Sequence, residues 1–355
     1  MRGSMRRRCR MWWCRIWWCL ALLLIGAPVL AAESPAQFRA AAAQVVYTDP
    51  ATGTPVPVLL TYPTRDPVQP IRRGPYHINV APEGMPAFDP MPLVLISQGP
   101  SRNSNAMIGI ALFLARRGMM TATVTHMGGQ DSTTAAGGTG IGDTRIGTRP
   151  LWPELPAQLR SALDAVLDSS PMGWRVDRDR IGAIGFGPGG YAALVEAGAV
   201  ADLGRIPAHC AQHPDNRALC PAGAKTVVAA LPLQPKDAAD PRIRALVLMD
   251  PVGALFGDGA LSRVTAPVRL YEAEKGDEAG ALEVDRVRAL LPGSPEVQVV
   301  PGAGHYAYFT PVPPSAAARI GVTAQDPPGF DRAAFHERLN DEVLDFFRRT
   351  LTPAR

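Results

Sequence analysis

Charge is scarce in this chain. Only 19% of its 355 residues are Asp, Glu, Lys or Arg against 46% hydrophobic, which excludes disorder on a domain scale and leaves enough apolar surface for one large core. Long apolar runs are missing as well. The stretch from Ile16 to Leu30 falls short of the roughly 20 residues that a membrane span needs. It follows Arg2, Arg6, Arg7, Arg8, Arg10 and Arg15 and ends in small residues at Ala31 and Ala32. Residues 1–31 therefore read as an export signal, with a membrane anchor as the competing reading, and residues 32–355 as a single domain. No stable membrane span is expected once the signal is removed. The formal charge of +4 belongs to that leader: without its six arginines, 30 basic residues face 32 acidic ones. No basic surface then points to nucleic acid.

Cysteine is scarce too. Three of the five, Cys9, Cys14 and Cys19, lie in the leader, leaving Cys210 and Cys220. An even pair in an oxidising compartment predicts a disulfide in a periplasmic or secreted protein. His209 and His213 flank Cys210, but the spacing fits no common zinc pattern, so no metal is expected. No internal repeat is visible, and no spacing implies an organic cofactor.

What is present is an alternation of strands and helices. Residues 44–62 read as two short antiparallel strands around Asp49-Pro50-Ala51-Thr52-Gly53. A proline-rich, non-periodic stretch runs on to Pro92. Leu93-Val94-Leu95-Ile96-Ser97 is a continuous apolar run, as a strand covered on both faces requires. Helical spacing from Ala106 to Arg117 ends at Gly118, and Met119 to Val124 follows as a strand. A Gly/Thr-rich loop, a helix from about Pro153 to Asp168, the strand Arg180 to Gly185 and a helix from Gly189 come next. Residues 206–240 break the rhythm and resemble an inserted lid. Strands at 243–249, 268–272 and 297–300, a helix at 284–291 and a closing helix at 330–351 complete the series.

The segment from Arg180 through Gly185-Phe186-Gly187-Pro188-Gly189-Gly190-Tyr191 is a strand entering a helix through a glycine-dense turn. Two chemistries use such a turn. A nucleophile elbow projects a strained central residue at a helix N-terminus. A dinucleotide fingerprint, matched literally by Gly185, Gly187 and Gly190, lets a backbone approach a pyrophosphate, but no strand ending in an acid follows at about 20 residues for the ribose. An oxidoreductase binding a dinucleotide is thus the remote alternative.

The chain resembles the dienelactone-hydrolase-like branch of the α/β-hydrolases over nearly its whole mature length. The resemblance runs in order through Tyr62-Pro63-Thr64, Leu95-Ile-Ser-Gln-Gly99, Arg149-Pro150, the elbow, Gly302-Ala-Gly-His305 and Pro327-Pro-Gly-Phe330-Asp331. It implies an α/β-hydrolase fold: a mostly parallel, doubly wound sheet with antiparallel N-terminal strands and a lid near 206–240. It also implies a Ser-His-Asp triad acting on esters or lactones, with no cofactor. His305 takes the place of the general base. Asp277, after the strand at 268–272, takes that of the acid, with Asp250 as the alternative. Gln98, His126 and Tyr306 are the expected pocket lining. Ser97, Ser101 and Ser104 lie near the expected mouth as alternatives for a substitute nucleophile, but serines in a turn such as residues 100–104 read as capping or turn residues.

The departures carry more weight than the matches. Gly187 stands where the family has serine, and a glycine offers nothing for His305 to deprotonate. Oxyanion donors are expected from the backbone of residues 100 and 188, yet Pro100 and Pro188 have no N–H. Three readings follow: a pseudohydrolase that keeps a pocket for a small ester, lactone or related apolar ligand, an active ester or lactone hydrolase with a non-standard arrangement around His305, and the remote dinucleotide reading. Oligomeric state is not legible.

Overall fold

The computed structural model describes residues 37–50, 52–99, 105–126, 145–146, 149–150, 152–214, 216, 219–220, 239–276 and 282–352. All lie in the second of two units into which the chain divides, Ser34–Arg355. The leader, Pro100, Ser101, Ser104 and Asp277 lie outside the described residues.

The first strands are β1 (Arg39–Thr48) and β2 (Pro55–Thr64), then β3 (Gln69–Arg73), β4 (Tyr76–Pro82) and β5 (Met91–Ser97). Helix α1 (Ile108–Arg116) and strand β6 (Met120–Val124) follow, then the short pair β7 (Arg145–Ile146) and β8 (Arg149–Pro150). Next are α2 (Glu154–Asp164), β9 (Val176–Phe186), α3 (Pro188–Glu196) and α4 (Ile206–Gln212). The rest is β10 (Ile243–Met249), β11 (Val268–Lys275), α5 (Val284–Leu290), β12 (Glu296–Gly304), α6 (Pro314–Ile320) and α7 (Arg332–Thr350).

Ten of the strands form one sheet in the order β12-β11-β10-β9-β5-β6-β2-β1-β4-β3. From β12 to β6 every pairing is parallel, and β2 joins β6 antiparallel. Burial follows the pleat. Leu93, Leu95, Leu246 and Leu248 face α2 and α3 through Leu155, Leu159, Tyr191 and Leu194. Their neighbours Val94, Ile96, Val247 and Met249 face α1 and α7 through Ile110, Leu114, Phe346 and Phe347. Residues of opposite parity serve opposite cores, which is why β5 is buried at every position and reads as an unbroken apolar run.

One expectation is corrected. The stretch before Pro92 holds the β3–β4 hairpin, in which Ile71, Tyr76, Ile78 and Val80 pack in a small core with α1. Its prolines masked the alternation, and Pro70 is tolerated because β3 is a sheet edge.

Between α3 and β10 the chain carries α4 and the predicted disulfide, Cys210–Cys220. Beside it, His209 Nδ1 contacts Glu283 Oε1 at 3.0 Å, and Asn216 Nδ2 meets its Nε2 at 3.0 Å. Among the described residues no helix is long and apolar enough to cross a membrane.

Candidate active site

The elbow forms where β9 ends and α3 begins. Gly187 has φ +50°, a region most residues avoid but glycine adopts freely. Its backbone is fully engaged: its N–H donates to Met249 O at 3.0 Å, and its carbonyl accepts from Gly190 N at 3.0 Å and Tyr191 N at 3.2 Å. The flanking glycines answer a packing demand. A Cβ on Gly185 would stand 2.6 Å from Gly190 Cα, and one on Gly190 would stand 2.7 Å from Pro251 Cβ. Close approach thus accounts for the spacing that also spells a dinucleotide fingerprint.

His305 opens the turn after β12 and reaches the elbow. An ideal Cβ at residue 187 would lie 3.6 Å from His305 Nε2 and 3.7 Å from Cε1. The ring packs at a tilt against Phe186 at 4.5 Å between centroids, with Tyr306 edge-on at 5.1 Å. Its Nδ1 sits 3.1 Å from Asp250 Oδ2. The structure thus brings the alternative acid, Asp250, to His305, while Asp277 lies outside the described residues.

Asp250 directly follows β10 and has a positive φ of 43°, one of few such non-glycine residues described. Strained backbone of this kind tends to cluster at functional positions. Its other oxygen accepts from Ala273 N at 2.7 Å and, more weakly, from Tyr308 OH at 3.4 Å. Burial pushes the carboxyl above the usual range, while His305, the Ala273 N–H and the Tyr308 hydroxyl act against that rise. Because a carboxylate only accepts, the contact assigns the hydrogen to His305 Nδ1 and leaves the Nε2 lone pair facing residue 187.

Behind this turn, His336 of α7 donates from Nε2 to Ala307 O at 2.9 Å, and burial lowers its pKa to about 4. Neither Tyr308 nor His336 stood out in the sequence, because their partners lie far away along the chain.

Pro188 begins α3 and has no N–H to offer. Gln98 is buried at the end of the β5 segment. His126 does not line an open crevice. It is 3% exposed, and its two nitrogens meet Ser97 Oγ at 2.7 Å and Gln158 Oε1 at 3.0 Å. Gln158 Nε2 in turn donates to Asp49 Oδ2 at 2.6 Å. The carboxylate orients the amide, the amide holds hydrogen on His126 Nδ1, and Nε2 accepts from the Ser97 hydroxyl. Ser97 is the last residue of β5, as its place in the apolar run predicts, and one end of a buried relay. Burial lowers the pKa of His126 to about 4, with Gln158 and Asp49 opposing the shift.

A strand order of this kind, with a sharp strand–turn–helix after an interior strand and a histidine after the last one, defines an α/β-hydrolase fold. The solved structure of a ferulic acid esterase from Streptomyces cinnamoneus is similar, with a TM-score of 0.58 over 91% of this chain and 94% of that one. At 20% identity the likeness speaks to the fold alone. No protein-family model and no curated protein matches the chain.

Proposed function

We propose that this protein carries the site of a carboxylic-ester or lactone hydrolase of the dienelactone-hydrolase-like kind, kept in working geometry but without its nucleophile. The observation that carries this reading is the 3.6 Å between His305 Nε2 and the place a side chain at residue 187 would begin, with Asp250 holding the other nitrogen. In other enzymes the loss of a nucleophile costs on the order of 10⁶ in kcat. An acyl-enzyme cannot form on Gly187. The ferulic acid esterase shares the fold, which supports an ester-hydrolase ancestry. The arginine-rich leader and the Cys210–Cys220 bridge support export.

The test is Gly187→Ser, assayed on short-chain p-nitrophenyl esters. Because Pro188 withholds an oxyanion donor, worth roughly 10² to 10³, the variant is expected to gain on the order of 10³ over wild type. His305→Ala should remove that gain. If wild type is already active and serine adds nothing, the centre lies elsewhere.

A second reading has one observation in its favour: among the described residues His305 Nε2 has no hydrogen-bond partner, so it is free to activate water directly on a reactive ester or lactone. Slow hydrolysis by wild type that disappears in His305→Ala is the expected sign of it.

A further inference from the structure

Large apolar side chains are exposed unevenly over this domain. Among the described residues the exposed ones are six valines together with Met85, Phe88 and Trp174. Single valines on a surface need no explanation. The other three sit at one end of the sheet, Met85 and Phe88 in the turn before β5 and Trp174 just before Arg175 and β9. Trp174 is 66% exposed, Met85 65% and Phe88 37%.

Contacts join these side chains into one strip. Arg65 lies over the Phe38 ring at 5.5 Å, and Phe38 meets Phe88 at 5.3 Å between centroids. Asp89, next to Phe88, pairs with Arg175 at 2.7 Å, and the Arg175 guanidinium lies 4.0 Å from the Trp174 ring centre. Met85 is tied in by its N–H, which donates to Asp66 Oδ2 at 2.7 Å. Apolar rings that carry charged heads on their faces suit a boundary between acyl chains and headgroups.

We propose that this strip docks the domain on a phospholipid bilayer, with Met85, Phe88 and Trp174 entering at headgroup depth and Arg65 and Arg175 at the phosphates. Arg39, Arg65 and Arg175 stand against Asp66 and Asp89, so the charges nearly cancel, and insertion rather than attraction holds the domain. A bilayer fits better than a protein partner because of where the chain enters. The N–H groups of Gln37 and Phe38 both donate to Arg116 O, which fixes that entry beside the strip. Residues 31–36 separate it from the apolar run ending at Leu30, a reach of at most about 25 Å. An export signal and an anchor alike put that run in a membrane, so the strip is the face held near the membrane surface.

Strands β5 and β9 both run from the strip toward the elbow, about 35 Å for the length of β9. Docking therefore leaves the elbow on the far side of the domain, and the proposal does not depend on the chemistry there.

The experiment mixes the chain, expressed with its leader, with phosphatidylcholine vesicles whose acyl chains carry bromine near the glycerol, a quencher that acts at contact. The signal of Trp174 is the emission of wild type minus that of Trp174→Phe, in which the other tryptophans cancel. Brominated lipid should cut that difference at least about twofold relative to plain lipid, since interfacial segments bury their apolar groups at that depth. In Met85→Ser/Phe88→Ser the quenching should fall at least about threefold, because less apolar surface enters the bilayer. Val299→Ser, exposed on β12 away from the strip, should leave it unchanged. All these side chains are exposed, so the variants keep the fold. Unquenched Trp174, equal quenching in Met85→Ser/Phe88→Ser, or an equal loss in Val299→Ser overturns the proposal. A dimer in sedimentation velocity that Met85→Ser/Phe88→Ser dissociates, with Trp174 unquenched, gives the strip to a second copy instead.

Discussion

Two histidines follow well-separated strands of the same sheet, β6 and β12, and they have been put to opposite uses. His305 keeps a carboxylate on one nitrogen and turns the other toward the elbow, with its side chain 14% exposed. His126 has a serine at 2.7 Å, the partner that His305 lacks, yet it is enclosed, bound through both nitrogens and pushed to about 4 by burial. One faces the elbow without a nucleophile; the other holds a hydroxyl but is enclosed in the core. A serine–histidine contact is thus no evidence of catalysis by itself. What separates a reactive pair from a structural one is a charge that stabilises the imidazolium and a path for substrate.

The comparison can be broken most severely at the acid. In a Gly187→Ser background, Asp250→Asn should remove most of the roughly 10³ gain in kcat, because the amide no longer holds the required tautomer. Steady-state kinetics on p-nitrophenyl esters would check it. An unchanged rate there, with a loss in Asp277→Asn instead, would return the acid role to Asp277.

A middle-sized effect belongs to the other histidine. His126→Gln should cost about 1–3 kcal/mol of stability at neutral pH, since buried partners are left unpaired, while the Gly187→Ser enzyme keeps its rate per folded molecule. The cost should also depend on pH. The folded pKa of about 4 lies below the ordinary 6.5. Between those values the unfolded chain binds a proton that the folded chain does not. The stability contributed by neutral His126 is therefore intact above about pH 6.5 and is lost as pH falls toward about 4. The gap between wild type and His126→Gln in denaturant unfolding should close over that window. A gap that widens in acid would contradict the buried, neutral relay.

The smallest effect is expected at Tyr308. Its hydroxyl reaches Asp250 at a long 3.4 Å, so Tyr308→Phe should slow the Gly187→Ser enzyme by only about two- to threefold, roughly 0.5 kcal/mol. A much larger loss would give Tyr308 a part in catalysis that its distance does not suggest.

Much of the fold could be read from residue periods. The apolar runs at 93–97 and 243–249 are strands covered on both faces, and the glycines around 187 mark a turn whose spacing only close packing demands. The β3–β4 hairpin was hidden because Pro70 interrupts a pattern that the edge position of β3 tolerates. The choice between Asp250 and Asp277 was open for a different reason. Each follows a parallel strand by a residue or two, and which one meets His305 depends on how two neighbouring strand ends approach a turn some thirty to fifty residues later. The relay was illegible altogether. Asp49, Ser97, His126 and Gln158 share no local motif, and they meet because β1, β5, β6 and α2 converge at one end of the sheet.

By itself, the sequence determined what chemistry is missing: glycine carries no nucleophile and proline carries no N–H, whatever surrounds them. Tertiary structure alone decided what remains. Distances between residues far apart in the chain are set by strand order and register, and these placed Asp250 on His305, aimed Nε2 at residue 187, and enclosed the remaining serine–histidine pair in the core.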